Sequence, residues 1–354
     1  MVNLSVTFAV GLIFGYAFYK MKVPGGMMVG AIVGVAVLNI FFDMAYMPSY
    51  AKYAAQISAG AFIGCSVEKS DIQHLKQVVK PALLLLGSML MLNITLGFII
   101  YFTSPLDLLT SLMSSVPGGM SDIPIISADM GADAPKVAAL QFTRMLAGIG
   151  LFPTLISMVA RRDSPEDRIP EKEKTTPTEE RGRSNGHSAT AFIQTISVAT
   201  ASGILGKTLN IPAGILIFSM LGVLCFKLLD HKTYMPMWAK RLAQVLSGAY
   251  IGGSVIYSDI VELKYLVIPA LILLLGYFAT CLLLGKALSK HFDMSIKEAM
   301  LVATPAGAAD MALISSDLGV ESTDLILLQI IRLLVVLSVF PQIISLIVKH
   351  IGGV

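Results

Sequence analysis

The stretch PGGMSDIPIISADMG, residues 117 to 131, returns 188 positions later as PAGAADMALISSDLG, residues 305 to 319. The same offset, without a gap, relates Gly15 to Gly203, Pro24 to Pro212, Gln56 to Gln244, Gly60 to Gly248, Pro81 to Pro269, Gln141 to Gln329, Arg144 to Arg332 and Phe152-Pro153 to Phe340-Pro341. Two copies of one unit therefore fill nearly the whole chain: residues 1–160 read as a first membrane repeat, 161–188 as a polar linker and 189–354 as a second repeat. Proline, glycine and aspartate recur in the middle of apolar sequence. That marks a place where charge and unpaired backbone are tolerated inside a membrane.

The surroundings of the motif are lipid-compatible. Of 354 residues, 55% are hydrophobic and 14% charged, against roughly 25% charged in a soluble domain, and mean hydropathy is +0.76. Apolar runs, read against the roughly 17 to 25 residues of a membrane helix, fall at 4–19, 26–45, 53–67, 81–102, 136–159, 189–206, 211–228, 238–256, 266–285 and 323–347. An all-α polytopic membrane protein is expected, multi-pass in the cell inner (cytoplasmic) membrane. The first run lacks a basic lead-in and a cleavage site, so it reads as a retained helix and not as a signal peptide.

Cys65, Cys225 and Cys281 are far apart, and His74, His187, His231, His291 and His350 are scattered. No disulfide framework, cofactor or copper, iron or zinc centre is expected, and no enzyme. The linker from Arg161 to Ser188 holds seven Lys/Arg and seven Asp/Glu with three prolines, and reads as a disordered tether that binds no nucleic acid. The expected partners are a small-molecule or ion substrate and the lipid bilayer; homo-oligomerisation stays open.

Each copy has five ordinary spans and one interrupted element, residues 106–131 and 294–319. If these elements cross the membrane, the copies are parallel; if they enter and return on one side, the copies are inverted. With re-entrant elements and a cytoplasmic tether, twelve loop lysines and arginines lie inside against five outside, Lys52, Lys136, Lys207, Lys264 and Lys349. The crossing alternative divides them nine to eight. The positive-inside rule therefore favours inverted repeats.

Pro117 and Pro305 cannot continue a helical ladder, and Gly118, Gly119 and Gly307 permit close backbone approach. The resulting break leaves free amides and carbonyls that only a cavity or an ion can satisfy. A kinked packing helix is the plainer alternative. Asp122 and Asp310, with Ser121 beside the first, fall just after the break. They suit either helix capping or a role as ligand to a coupling Na⁺ or as proton carrier. Asp129 and Asp317 lie seven residues on, on the same face if the helix continues, and are candidates of second rank that also suit a surface position. Gln141 and Arg144, with Gln329 and Arg332, sit one turn apart in the last span of each half. Their guanidinium groups suit a carboxylate, whether from the protein or from a substrate.

PGGMSD with ISADMG, PAGAAD with ISSDLG, and the QFTR and QIIR helices ending in Phe-Pro together resemble the AbrB membrane-protein family across both halves. Members of that family are commonly labelled ammonia monooxygenases or transcriptional regulators, names that rest on indirect association. This chain carries neither an oxygenase ligand set nor a DNA-binding domain. More distantly, five spans and a Gly-rich re-entrant element per inverted half look like the glutamate and citrate symporter class, in architecture and not in residues. The expected function is a secondary transporter for a small solute, an anion among the candidates, coupled to Na⁺ or H⁺ with its site at the two interrupted elements. The alternative that the family labels imply is a membrane-bound regulator or sensor affecting gene expression.

Overall fold

The computed structural model describes residues 2–23, 25–67, 69–119, 122–152, 155–156, 158–159, 189–229, 232–292, 294–304 and 322–352. No strand occurs among them. The helices of the first half are α1 (Val2–Lys20), α2 (Gly26–Phe42), α3 (Ser49–Ser66), α4 (Lys69–Thr103), α5 (Leu108–Ser114), α6 (Ile123–Met130) and α7 (Ala134–Gly150). The second half supplies α8 (Ala189–Thr208), α9 (Gly214–Leu228), α10 (Met237–Gly252), α11 (Tyr257–Glu262), α12 (Val267–His291), α13 (Ile296–Ala303), α14 (Thr323–Ser338) and α15 (Phe340–Gly352). Val78–Thr103, Ala189–Thr208, Lys264–His291 and Asp324–Ile351 are long and apolar enough to cross a membrane, and Gly26–Phe42 and Gly214–Leu228 are shorter apolar helices. The linker, residues 161–188, lies outside the described residues.

Some boundaries differ from the apolar runs, for local reasons. The span expected from residue 81 begins at Lys69, because the lead-in KSDIQHLKQVVK is rich in helix formers; Pro81 stands inside the helix and forfeits one backbone bond. Its counterpart Pro269 stands in the first turn of α12, after a 3-10 turn at Leu263–Leu266, where a missing N–H costs nothing. The run 323–347 is split at Val339, immediately before Phe340-Pro341, into α14 and α15.

The packing repeats with the offset seen in the sequence. A Cβ placed on Gly60 or Gly64 of α3 would lie 2.6 Å from the carbonyl oxygens of Leu216 and Met220 in α9. On Gly248 or Gly252 of α10 it would lie 2.5 Å from those of Met28 and Ile32 in α2. Each of these pairs is the other shifted by 188. Glycine is required because the facing groups are backbone, which cannot turn away as a side chain can; in an apolar medium such contact between helix backbones is a principal source of association. The turn before the second helix of each half recurs too, with positive φ at Lys22 and Gly25 (59° and 63°) and at Asn210 and Ala213 (53° and 55°).

Equivalent helices also meet each other, and they do so antiparallel. Lys52 of α3 lies over the ring of Tyr250 in α10, 5.5 Å from its centroid, while Lys240 of α10 lies 4.1 Å over Phe62 of α3. Tyr250 corresponds to Phe62 and Lys240 to Lys52, so each contact joins positions ten apart in the repeat, about 15 Å along a helix. Two parallel copies would instead bring like positions together. In the α4–α12 pair, too, the contact joins unlike positions: Leu96 packs on Gly276, whose counterpart in the first half is Ser88.

Candidate functional site

The first interrupted element is a hairpin of two short helices. Asp107 caps α5 by accepting from the Thr110 N–H, and Thr110 Oγ1 in turn accepts the N–H of Asp133, just past α6, at 3.0 Å. The start of α5 and the end of α6 are therefore tied together, and the chain doubles back between them. In the second half the residues on either side of positions 305–321 are joined in the same way, by a hydrogen bond from Ser322 to Glu298.

At the bend, α5 stops at Ser114 because Val116 precedes a proline and cannot stay helical. Its last carbonyls have no intrahelical donors, and side chains from three helices supply them. Asn93 of α4 donates to Leu112 O at 2.8 Å. Gln141 of α7 spreads its amide over Met113, Ser114 and Val116 at 3.3, 3.3 and 3.1 Å. Arg144, only 3% exposed, donates to Val116 O and Gly118 O, both at 2.6 Å. Tyr277, from α12 of the other half, donates to Ser115 O at 2.6 Å and lies 3.5 Å from Arg144 Nη1. The guanidinium also faces the negative end of the α5 dipole, which favours its charge there.

The second half repeats the arrangement. Gln329 donates to Leu301 O at 3.0 Å, and Arg332 to Thr304 O at 2.6 Å and Val302 O at 3.4 Å. Met113 and Leu301 are matched positions, as are Val116 and Thr304. Cys281 stands where Asn93 does and reaches Met300 O at 3.5 Å, the counterpart of Leu112.

Asp122 precedes α6, half-buried, and its side chain makes no capping hydrogen bond. Its Oδ2 occupies the space a Cβ at Gly119 would need, at 2.5 Å, so Gly119 is what admits the carboxylate to the bend. A Cβ at Gly118 would strike Ile123 at 2.6 Å. Pro117, Gly118, Gly119, Asp122, Gln141 and Arg144 are thus brought together in one bend. Asp129 is not part of it: at the far end of α6 it pairs with Lys52 at 3.0 Å. Ser121, Pro305, Gly307, Asp310 and Asp317 lie outside the described residues.

Asn93 and Tyr277 were not singled out from sequence, and Lys52 was read there only as a loop lysine. Asn93 had a readable signal, an amide in the middle of the run LLLLGSMLMLNITLGF. Tyr277 had a subtler one, since the matching position in the first half is Met89 and the repeat is broken there. Several buried polar atoms stay without partners, among them both amide atoms of Gln56, Arg144 Nε, Gln141 Oε1, Ser111 Oγ, Ser114 Oγ and Ser247 Oγ. Four of these residues, Arg144, Gln141, Ser111 and Ser114, belong to the bend or to its last helical turn.

Removing the phenol hydroxyl alone tests the seal at Ser115. Tyr277→Phe leaves a buried carbonyl unpaired, at a cost of about 1–3 kcal/mol. Thermal unfolding in detergent is expected to show a lowered Tm, while Tyr265→Phe, whose residue is exposed, leaves it unchanged.

Comparison with known proteins extends over both halves. The family model described as "Transition state regulatory protein AbrB" matches residues 1–160 and 165–348. A Bacillus subtilis (strain 168) protein named "Uncharacterized protein YhjN" is 27% identical over 290 residues, covering 78% of this chain and 74% of that protein. The Escherichia coli (strain K12) protein named "Putative regulator AbrB" is 22% identical over 337 residues, covering 94% of this chain and 92% of its own. A helical chain with membrane-length apolar helices, matched by that model nearly from end to end, this protein belongs to the AbrB family.

Proposed function

We propose that the chain is a secondary transporter of the inner membrane for a small solute, an anion among the candidates, coupled to Na⁺ or H⁺. In this reading it consists of two inverted repeats, each of five transmembrane helices and one re-entrant element, and it is not an enzyme. The solute and coupling ion bind where the two re-entrant elements approach the midplane, at Pro117, Gly118, Gly119, Ser121 and Asp122 and at Pro305, Gly307 and Asp310.

The observation that carries the reading is the α5–α6 hairpin, which turns back within an apolar bundle and holds at its bend a carboxylate not spent on capping. Such irregular backbone at membrane depth is tolerated where it lines a cavity, and transporters use it to bind ions and solutes. Inversion is supported by the antiparallel meeting of equivalent helices. It is supported also by the lysines: Lys207 lies 4.0 Å over the ring of Tyr53, next to Lys52, and shares a cavity with Lys349. A parallel arrangement assigns Lys207 to one side of the membrane and Lys52 and Lys349 to the other. Asp122 and Asp310 are the ligands for Na⁺ or the carriers of H⁺, and Arg144 and Arg332 hold the carbonyl ends of the bends.

In proteoliposomes loaded with a Na⁺- or pH-sensitive dye, addition of small carboxylates is expected to drive ion flux. Asp122→Asn with Asp310→Asn should reduce it below about a tenth of wild type, as loss of a charged ligand worth more than about 1.4 kcal/mol requires. Full coupled flux in the double variant would remove the two aspartates from the site. Topology is read separately from the labelling of single cysteines at Lys76 and Lys264 by an impermeant maleimide: inverted halves expose them on opposite faces, parallel halves on the same one.

The name of the Escherichia coli relative and the family description favour a second reading, a membrane-bound regulator or sensor. It requires a partner that docks on the linker. Deleting residues 165–185 is then expected to abolish the change in gene expression while leaving any ion flux intact; an unaltered expression response rejects this reading.

A further inference from the structure

At the end of the bundle where α5 begins and α6 ends lies a cavity of about 480 Å³, lined by residues of both halves. Its polar lining includes Tyr53, Asp129, Lys207, Asn210 and Lys349. Asp129 is the only acid among the lining residues, and it is already neutralised by Lys52 at 3.0 Å. Two ammonium groups are left over. Among the described residues neither Lys207 nor Lys349 has a carboxylate partner.

Lys207 is steered without being used up. Its Nζ sits 4.0 Å from the centroid of the Tyr53 ring, a contact with the π face that steers the side chain and leaves N–H donors turned away from the ring. At the matching place in the other half the cation and the aromatic exchange positions, Tyr19 standing for Lys207 and Arg241 for Tyr53. There Arg241 stacks at 4.4 Å and also spends an N–H on the Tyr19 hydroxyl at 2.7 Å. That pair is closed on itself; the Lys207–Tyr53 pair is open.

With its one carboxylate already paired, the cavity keeps two uncompensated positive charges in its lining, which favour an anion there. We propose that this cavity binds a small anion, a dicarboxylate or a phosphate group, presented either by a free solute or by a lipid headgroup. The volume lies within the roughly 300–1,000 Å³ of small-molecule sites. As the vestibule from which an anion reaches the bend, the cavity rests on the transporter reading. Its anion binding does not.

The test uses the full-length protein in nanodiscs of neutral phosphatidylcholine, titrated with sodium phosphate and with sodium succinate at matched ionic strength and followed by calorimetry. A parallel preparation in phosphatidylglycerol is examined by native mass spectrometry for retained lipid. Wild type is expected to bind, Lys207→Gln with Lys349→Gln to bind at least tenfold more weakly, and Lys207→Arg with Lys349→Arg to recover binding. Both lysines are exposed, so the substitutions do not open the core. Binding of phosphate or succinate identifies a solute site; retention of phosphatidylglycerol alone, lost in the glutamine pair, identifies a headgroup site. Absence of all binding in wild type, or equal binding in the glutamine pair, overturns the proposal. Lysine-dependent binding by a wild type that carries no coupled flux rejects the transporter and keeps the cavity, whereas coupled flux with lysine-independent binding does the reverse.

Discussion

The structure depends on a shortage of hydrogen-bond donors. A helix that stops inside an apolar bundle strands its last carbonyls where water does not reach them, and each unpaired carbonyl costs about 1–3 kcal/mol. The break at Pro117 creates this problem for residues 112 to 118, and Asn93, Gln141, Arg144 and Tyr277 answer it from three separate helices. The bend therefore fixes where α4, α7 and α12 must stand relative to α5. Arginine suits the task because its rigid fork reaches two carbonyls at once and its charge meets the negative end of the helix.

The two halves answer the same problem with unequal means. Gln141 and Arg144 recur as Gln329 and Arg332 with matched acceptors. Asn93, an amide that donates to Leu112 O and to Ser115 Oγ, is replaced by Cys281, whose thiol is a weak donor at 3.5 Å. Tyr277, which seals Ser115 from across the interface, is replaced by Met89, which has no hydrogen to donate. At these two positions the halves differ in the donor they offer, while the glutamine and arginine keep one plan.

Much of this was legible in the chain. The 188-residue offset exposed the duplication, and the same offset reappears in the glycine contacts and in the capping pairs. The break was readable because proline and glycine have backbone consequences that lipid does not soften. What Arg144 does was not. A buried guanidinium reads from sequence as the partner of a carboxylate, because charge is visible in the sequence and stranded carbonyls are not; only the termination of α5 at Ser114 creates acceptors for it. Asp129 shows the converse: its seven-residue spacing from Asp122 suggested a common site, but α6 is long enough to carry it to the far end, beside Lys52. The left-handed turn at Ala213 was equally hidden. Gly25 adopts that conformation at little cost, whereas for alanine it costs roughly 1–2 kcal/mol, so packing of α8 on α9 imposes the turn where the local sequence does not ask for it.

The same contrast between backbone and side-chain contacts divides the molecule mechanically. Where α3 meets α9 and α10 meets α2, glycines bring backbone against backbone with no space for adjustment, and such an interface moves as one piece or not at all. The bends are held differently, by amide, guanidinium and phenol groups at the ends of flexible side chains. Hydrogen bonds of that kind can be exchanged for bonds to water or a ligand only where the freed amide, guanidinium and phenol donors find acceptors in turn. In this protein the two kinds of contact fall in separate helices, the backbone packing in α1–α3 with α8–α10 and the side-chain hydrogen bonds around α5–α6.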